Sequence, residues 1–154
     1  MIELFFVLPI YIILFILITN LSIALHELGH IIACKLTGIK ISLMCLNLIF
    51  FKTVITSTKF LFKFKWPLLN NSVGGYVKIP SNEEYYSLSL FIISLAGPII
   101  NLILAVGSII FMFLTSYDIV PAMFAFINVM CCFMSDGDLQ KAKEYWKEGF
   151  YEKY

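Results

Sequence analysis

The apolar positions of the chain gather into three stretches of about the length that crosses a bilayer. They cover about 4–36, 86–114 and 118–135, and residues 4–25 contain no charged side chain. Runs of this kind predict a polytopic α-helical membrane protein with three transmembrane helices. A mixed-charge tail over 138–154 predicts a further helix that lies at the membrane interface.

The region between the first two stretches, 39–80, has the pattern of strands. Aromatic residues alternate with Lys and Leu over 59–66, which is the period of a strand with one apolar face. Residues 41–56 are rich in branched and aromatic side chains, and 73–77 follow the turn-like segment 70–72. We expect a small membrane-associated β-sheet of two to four strands, lying against the membrane surface. An irregular amphipathic loop is the alternative.

Composition and charge restrict the class of protein further. The chain of 154 residues is 60% hydrophobic and 14% charged, which fits a single membrane domain over 1–154. It has no Arg, and its Lys residues form no helical stripe, so nucleic acid is not an expected partner. Lysines occur in 39–80 and in the tail but not at the amino terminus or in 115–118. The positive-inside rule then places the sheet and the tail in the cytoplasm and the amino terminus outside.

Two histidines and a glutamate end the first apolar stretch, in the segment His26-Glu27-Leu28-Gly29-His30. Histidines at i and i+4 project from one helix face, where they can hold one Zn²⁺. The glutamate beside the first histidine is then placed as general base for water on the metal. Chance is the alternative, but ionisable groups inside a span are costly and usually functional.

A catalytic zinc site needs a third protein ligand, and we predict Asp136. It follows the third stretch, which runs in the same direction as the first. The first stretch reaches His26 after about 35 Å of helix, and the third reaches Asp136 after about 27 Å. Both ends therefore arrive near the same boundary. Asp136 could alternatively be an interfacial residue without a metal role. Glu144 is then the alternative third ligand. Apart from that alternative, Asp138 and Glu144 are expected to be solvated residues of the polar tail.

Asn128 precedes Asp136 by eight residues, a little over two helical turns, and so lies on the same broad face. A buried amide there can donate to a developing oxyanion, which makes Asn128 a catalytic candidate. An interhelical hydrogen bond is an equal alternative. The middle stretch also carries a face of small and polar residues that predicts close helix packing, namely Ser94, Gly97, Asn101, Ala105 and Ser108.

Four segments, in this order, resemble the site-2 proteases, a family of intramembrane zinc metalloproteases. They are the 26–30 motif with Ala33 and Gly38, Val73-Gly74-Gly75-Tyr76-Val77-Lys78, Ala96-Gly97-Pro98-Ile99-Ile100-Asn101, and Asn128 with Asp136-Gly137. The last segment departs from the family pattern, because it has no proline between Asn128 and Asp136 and has Ser135 in place of the usual Leu.

The resemblance implies a minimal three-helix catalytic core whose site faces the cytoplasmic side. It implies Zn²⁺ held by His26, His30 and Asp136, with Glu27 as the base and Asn128 near the oxyanion. Substrate contacts are predicted at Gly74, Gly75, Tyr76 and Asn101. The two glycines would offer a strand edge to an extended substrate, and a mere turn is the alternative there.

The expected function is hydrolysis of peptide bonds in membrane-embedded or membrane-adjacent substrates. This includes regulated intramembrane proteolysis and the processing of signal peptides or precursors. The expected partners are a transmembrane or membrane-associated polypeptide substrate, the lipid bilayer and a regulatory membrane partner. The composition hints at a bacterial cytoplasmic membrane. A catalytically inactive, protease-like scaffold or metal-binding protein is the alternative.

Overall fold

The structure is a computed structural model that describes residues 2–56, 59–64, 74–80, 85–115 and 119–151, without the side chains of 2–6, 115, 136, 150 and 151. The expected turn at 70–72 and the end of the alternation at Trp66 lie outside the described residues. The elements in chain order are α1 (Ile2–Leu36), β1 (Leu43–Asn47), β2 (Phe51–Thr56), β3 (Phe60–Phe64), β4 (Gly74–Lys78), α2 (Ser87–Thr115), α3 (Ile119–Phe133) and α4 (Asp136–Tyr151).

The two longest helices confirm the first two predicted apolar helices. Within α1 and α2, the segments Val7–Leu36 and Ser87–Leu114 are long and apolar enough to cross a membrane. Large apolar side chains on both helices are exposed, including Leu8, Leu17 and Ile103. Such exposure suits contact with lipid, since water would disfavour it.

The third predicted span is only partly present. α3 has 15 residues, which at the helical rise is about 22 Å and short of the hydrocarbon thickness of about 30 Å. It ends at Phe133, and the following helix is bent from it by 48°, so a third span exists only if the bent pair counts as one. The three-span topology is therefore not confirmed. The expected tail helix is present as α4, which begins two residues before the predicted position.

The predicted sheet is confirmed, with all strands antiparallel in the order β3-β2-β1-β4. The alternative of an irregular loop is wrong for these residues. β4 is an edge strand that pairs with β1 on one side and contacts α1. The sheet thereby brings the Gly74-Gly75 segment next to the helix that carries the histidines.

The turn between β1 and β2 lies beside α1. The Ile49 N–H donates a hydrogen bond of 3.0 Å to Asn20 Oδ1. Asn20 stands six residues before His26, about 9 Å along the helix. This turn runs beside the apolar part of α1, and the position of the sheet against the membrane surface stays a prediction. The Asn20 amide supplies the acceptor that a backbone N–H needs in apolar surroundings.

The small and polar face of α2 is buried, as predicted. Ser94, Asn101 and Ala105 are 7%, 0% and 1% exposed, and α2 packs against α1, α3 and α4. Short side chains on this face let the helix axes approach closely. α2 is therefore the central helix, and its packed face meets the histidines of α1.

Candidate active site

The two histidines of α1 bring their Nε2 atoms, which can bind a metal, close together. His26 and His30 are 9% and 6% exposed, and their Nε2 atoms are 3.2 Å apart. The helical spacing of four residues produces this arrangement, since it sets the two side chains one above the other. The predicted pair is therefore assembled at one point of the fold.

A carboxylate of α4 completes the group. Asp138 Oδ2 lies 3.0 Å from His26 Nε2 and 3.3 Å from His30 Nε2. The expectation that Asp138 is a solvated tail residue is wrong, because the bend after α3 turns the first residues of α4 back towards α1. The segment Asp136-Gly137-Asp138 was the available signal, since it offers two carboxylates.

The predicted ligand Asp136 is the first residue of α4, and its side chain lies outside the described part of the structure. Its role as a ligand stays a prediction. Glu144, the alternative, is exposed and accepts a hydrogen bond from Gln140 Nε2 at 3.1 Å. Among the described residues, Glu144 therefore contacts neither the two histidines nor Asp138.

The charge state of Asp138 suits a cation. Burial disfavours the ionised carboxyl, but the hydrogen bonds to His26 and His30 outweigh burial and hold the pKa of Asp138 well below its usual range. Asp138 is therefore a carboxylate at neutral pH. Asp138 thus supplies negative charge at the point where the two imidazole nitrogens converge.

The three atoms fit a zinc ion by number, type and spacing. Two imidazole nitrogens and one carboxylate oxygen are a known catalytic zinc set. Their separations of 3.0, 3.2 and 3.3 Å match the edge of a zinc tetrahedron, which is about 3.3 Å for bonds of about 2.0–2.1 Å. His26, Glu27 and His30 also form a group whose ligand atoms lie within 4.8 Å of one another.

Glu27 lies beside this group with one carboxylate oxygen free. The residue is 3% exposed, and its Oε2 has no hydrogen-bond partner in the described structure. β4 covers its side chain so closely that a Cβ at Gly75 would lie 2.6 Å from Glu27 Oε1. A buried carboxyl oxygen without a partner is costly, which makes Glu27 a candidate for a chemical role.

Two cavities meet at Glu27, and both are also lined by Gly75 and Asp138. The first, of about 250 Å³, extends between β4, α2 and α4 and is lined among others by Tyr76, Lys141 and Tyr145. The second, of about 390 Å³, is more apolar and includes Thr19, Ile23, Ile49, Cys131 and Met134. The two cavities therefore surround Glu27 with side chains of different polarity on either side.

α2 supports the histidines from behind. The His30 Nδ1–H donates to the Ile93 carbonyl at 2.7 Å, and the Asn101 amide lies 2.9 Å from His26 Nδ1. Between these contacts a Cβ at Gly97 would lie 2.5 Å from Nε2 of both histidines. The fully buried Asn101 was predicted as a substrate contact, and the structure gives it a contact with His26.

The remaining candidates differ in whether they line one of the two cavities. Tyr76 is exposed and lines the first cavity, and Gly74 lines the second. Asn128 is fully buried and donates from Nδ2 to the Phe124 carbonyl at 2.8 Å, while its Oδ1 has no partner among the described residues. It is among the lining residues of neither cavity.

The fold and this site together define a membrane protein of the metallopeptidase class, with two histidines and a glutamate on one apolar helix. Residues 14–148 match the family model of peptidase family M50, which is the site-2 protease family. The chain belongs to this family, so the resemblance inferred from the motifs is confirmed. No curated protein and no solved structure matches the chain.

Proposed function

We propose that this integral membrane protein is a zinc-dependent endopeptidase that cuts membrane-embedded or membrane-adjacent polypeptides. The observation that carries the proposal is Glu27 Oε2, which has no hydrogen-bond partner in the part of the chain that the structure describes and is buried beside the converging His26, His30 and Asp138. Family membership supports a metalloprotease. Zinc specificity, turnover and the type of substrate are parts of the proposal.

His26, His30 and Asp138 would hold the zinc ion, and Asp136 is the alternative to Asp138. When bound, the ion supplies Lewis acidity towards water and towards the scissile carbonyl. The exposed side of the group faces the two cavities at Glu27, so a substrate carbonyl has access there. The buried side is closed by α2.

Glu27 is the proposed general base and general acid. Its free oxygen accepts a proton from the attacking water and then delivers that proton to the leaving amine nitrogen. The covering strand β4 limits bulk water around the carboxylate, which keeps the proton transfer local. A glutamine at this position could neither accept nor deliver the proton.

β4 is the proposed substrate-binding edge. Its pairing with β1 uses one side of the strand, and an extended peptide can hydrogen-bond to the other side. Gly74 and Gly75 bring that backbone close to Glu27, and Tyr76 flanks the first cavity. The apolar part of a substrate would lie in the second cavity, beside the apolar part of α1.

The oxyanion role of Asn128 is a separate proposal with a structural condition. Its Nδ2 now donates to the Phe124 carbonyl, so the amide has to turn before it can donate to a substrate oxygen. Its Oδ1 has no partner within the described ranges, so no bond of that oxygen there holds the side chain in place. The lysine distribution supports a cytoplasmic site with the amino terminus outside, and the overall composition supports a bacterial membrane.

The test uses purified protein in lipid vesicles with a mixed set of single-span membrane peptides, followed by mass spectrometry of fragments. Wild type, Glu27→Gln and the control Glu144→Gln are compared, because Glu144 is exposed and accepts a hydrogen bond from Gln140 on the same tail helix. We expect cleavage by wild type and by the control, and none by Glu27→Gln with zinc retained. Equal cleavage by Glu27→Gln would contradict the proposal. Zinc-loaded wild type that cuts no peptide would favour the inactive scaffold.

A further inference from the structure

One face of α2 contacts the two imidazoles from behind. Ile93, Gly97 and Asn101 follow each other at intervals of four residues and therefore lie on one helix face. Ile93 offers its carbonyl to His30, Asn101 offers its amide to His26, and Gly97 leaves room for both rings. These contacts fix the planes of both rings before any cation binds.

The two histidines are not held in the same way. A carbonyl oxygen only accepts, so the bond to Ile93 keeps the proton of His30 on Nδ1 and leaves Nε2 with its lone pair. A carboxamide can either donate or accept. The Asn101 amide is therefore compatible with both neutral forms of His26, which differ in the nitrogen that carries the proton.

Only one of these forms can bind a cation through Nε2. With Asn101 Nδ2 donating to His26 Nδ1, the proton sits on Nε2 and points to Asp138 Oδ2 at 3.0 Å. With Asn101 Oδ1 accepting from Nδ1–H, Nε2 is free for the cation. The Oδ1 atom is buried and has no other partner in the described structure, so no competing bond opposes this second orientation.

We infer that Asn101 is a positioning residue for His26, whose side-chain oxygen accepts the Nδ1 proton and so frees Nε2 for the cation. This inference rests on the proposed function, because it assumes that the cation is bound through Nε2. Partners that orient metal-binding histidines typically change metal affinity by about 10–100-fold when removed. Asn101 touches neither cavity at Glu27, so it acts through His26 and not on the substrate.

The test measures zinc affinity by competition with a chromophoric chelator, on protein shown to be folded by circular dichroism. Asn101→Leu keeps the volume and removes the acceptor, and we expect its zinc affinity to fall by about 10–100-fold. Asn101→Asp can only accept, so we expect affinity at least equal to wild type. Ser108→Ala is the matched control, since Ser108 lies on the same face of α2 and donates to the Leu104 carbonyl.

The outcomes separate this inference from the proposed function. Wild-type affinity in Asn101→Leu, or an equal loss in Asn101→Leu and Asn101→Asp, overturns the inference while the enzyme proposal stands. A wild type that binds no zinc removes both. Histidine ¹⁵N spectra of the zinc-loaded wild type need no variant: we expect a proton on Nδ1 of His26, and an unprotonated Nδ1 there overturns the inference.

Discussion

The two sides of the site differ in what surrounds the reactive groups. On the α1–α2 side, His26, His30 and Asn101 are buried and each imidazole has a partner on α2. On the β4–α4 side, Tyr76 is more than half exposed, at 55%, and two cavities open at Glu27. One side is closed and preorganised, and the other is open.

This difference separates two tasks that a membrane metallopeptidase must perform. Metal ligands have to be held in place within fractions of an ångström, which requires packed side chains and a fixed second layer of hydrogen bonds. A substrate has to enter and leave, which requires an open edge. Substitutions on the α2 side should therefore change metal binding, and substitutions on the β4 side should change turnover with the metal retained.

The largest effect is expected for Gly97→Ala. The added Cβ would lie 2.5 Å from Nε2 of both histidines, so the pair cannot keep its spacing, and zinc affinity should fall by about 100-fold, the upper end of the range for groups that support metal ligands. Gly107→Ala is the control, because a Cβ at that position of α2 meets nothing within 4 Å. Zinc content of the purified variants, measured by mass spectrometry, decides the point. Gly97→Ala with a full zinc complement would falsify the closed-side account.

A large effect is also expected for Asp138→Ala, since it removes the oxygen that lies 3.0 Å from His26 Nε2. Zinc content should fall to a small fraction of wild type. Asp136→Ala is measured in parallel, and the geometry favours a smaller loss in that variant. If Asp136→Ala loses its zinc and Asp138→Ala keeps it, the sequence-based choice of ligand is right and the observed contact is not the ligating one.

A smaller and different effect is expected for Gly75→Ala on the open side. The Cβ would displace the Glu27 side chain, which can rotate away, while the histidine pair stays in place. We expect peptide cleavage to fall by about 10–100-fold, within the usual contribution of a positioned proton-transfer group, with zinc content unchanged. Cleavage rate and zinc content are measured on the same sample. Loss of zinc together with activity would show that the two sides are not separable.

Local sequence patterns predict much of this fold. The uncharged run of α1 and the alternation in β3 are visible within a few residues, and each sets its element directly. The break between α3 and α4 lies at Met134 and Ser135, a little before the position that the apolar pattern indicates, because these two residues do not interrupt that pattern strongly. This break resets the helical phase, so counting residues from Asn128 could not identify Asp138.

The sequence predicts only the part of the candidate site that lies on a single helix. Spacing along α1 is enough to bring His26 and His30 together with Glu27 beside them. Asn101 was recognised as part of a motif, but its contact with His26 depends on how α1 and α2 pack. The same holds for Gly97, because the sequence of α2 does not show that this face of the helix contacts two imidazoles.

The central claim is that one zinc ion is held by two imidazoles and a carboxylate at the junction of α1, α2 and α4. X-ray absorption at the zinc edge of the purified wild type tests it most directly. We expect nitrogen and oxygen ligands at about 2.0–2.1 Å with the scattering of two imidazoles. A sulfur ligand at about 2.3 Å, a single imidazole or the absence of zinc would contradict the account.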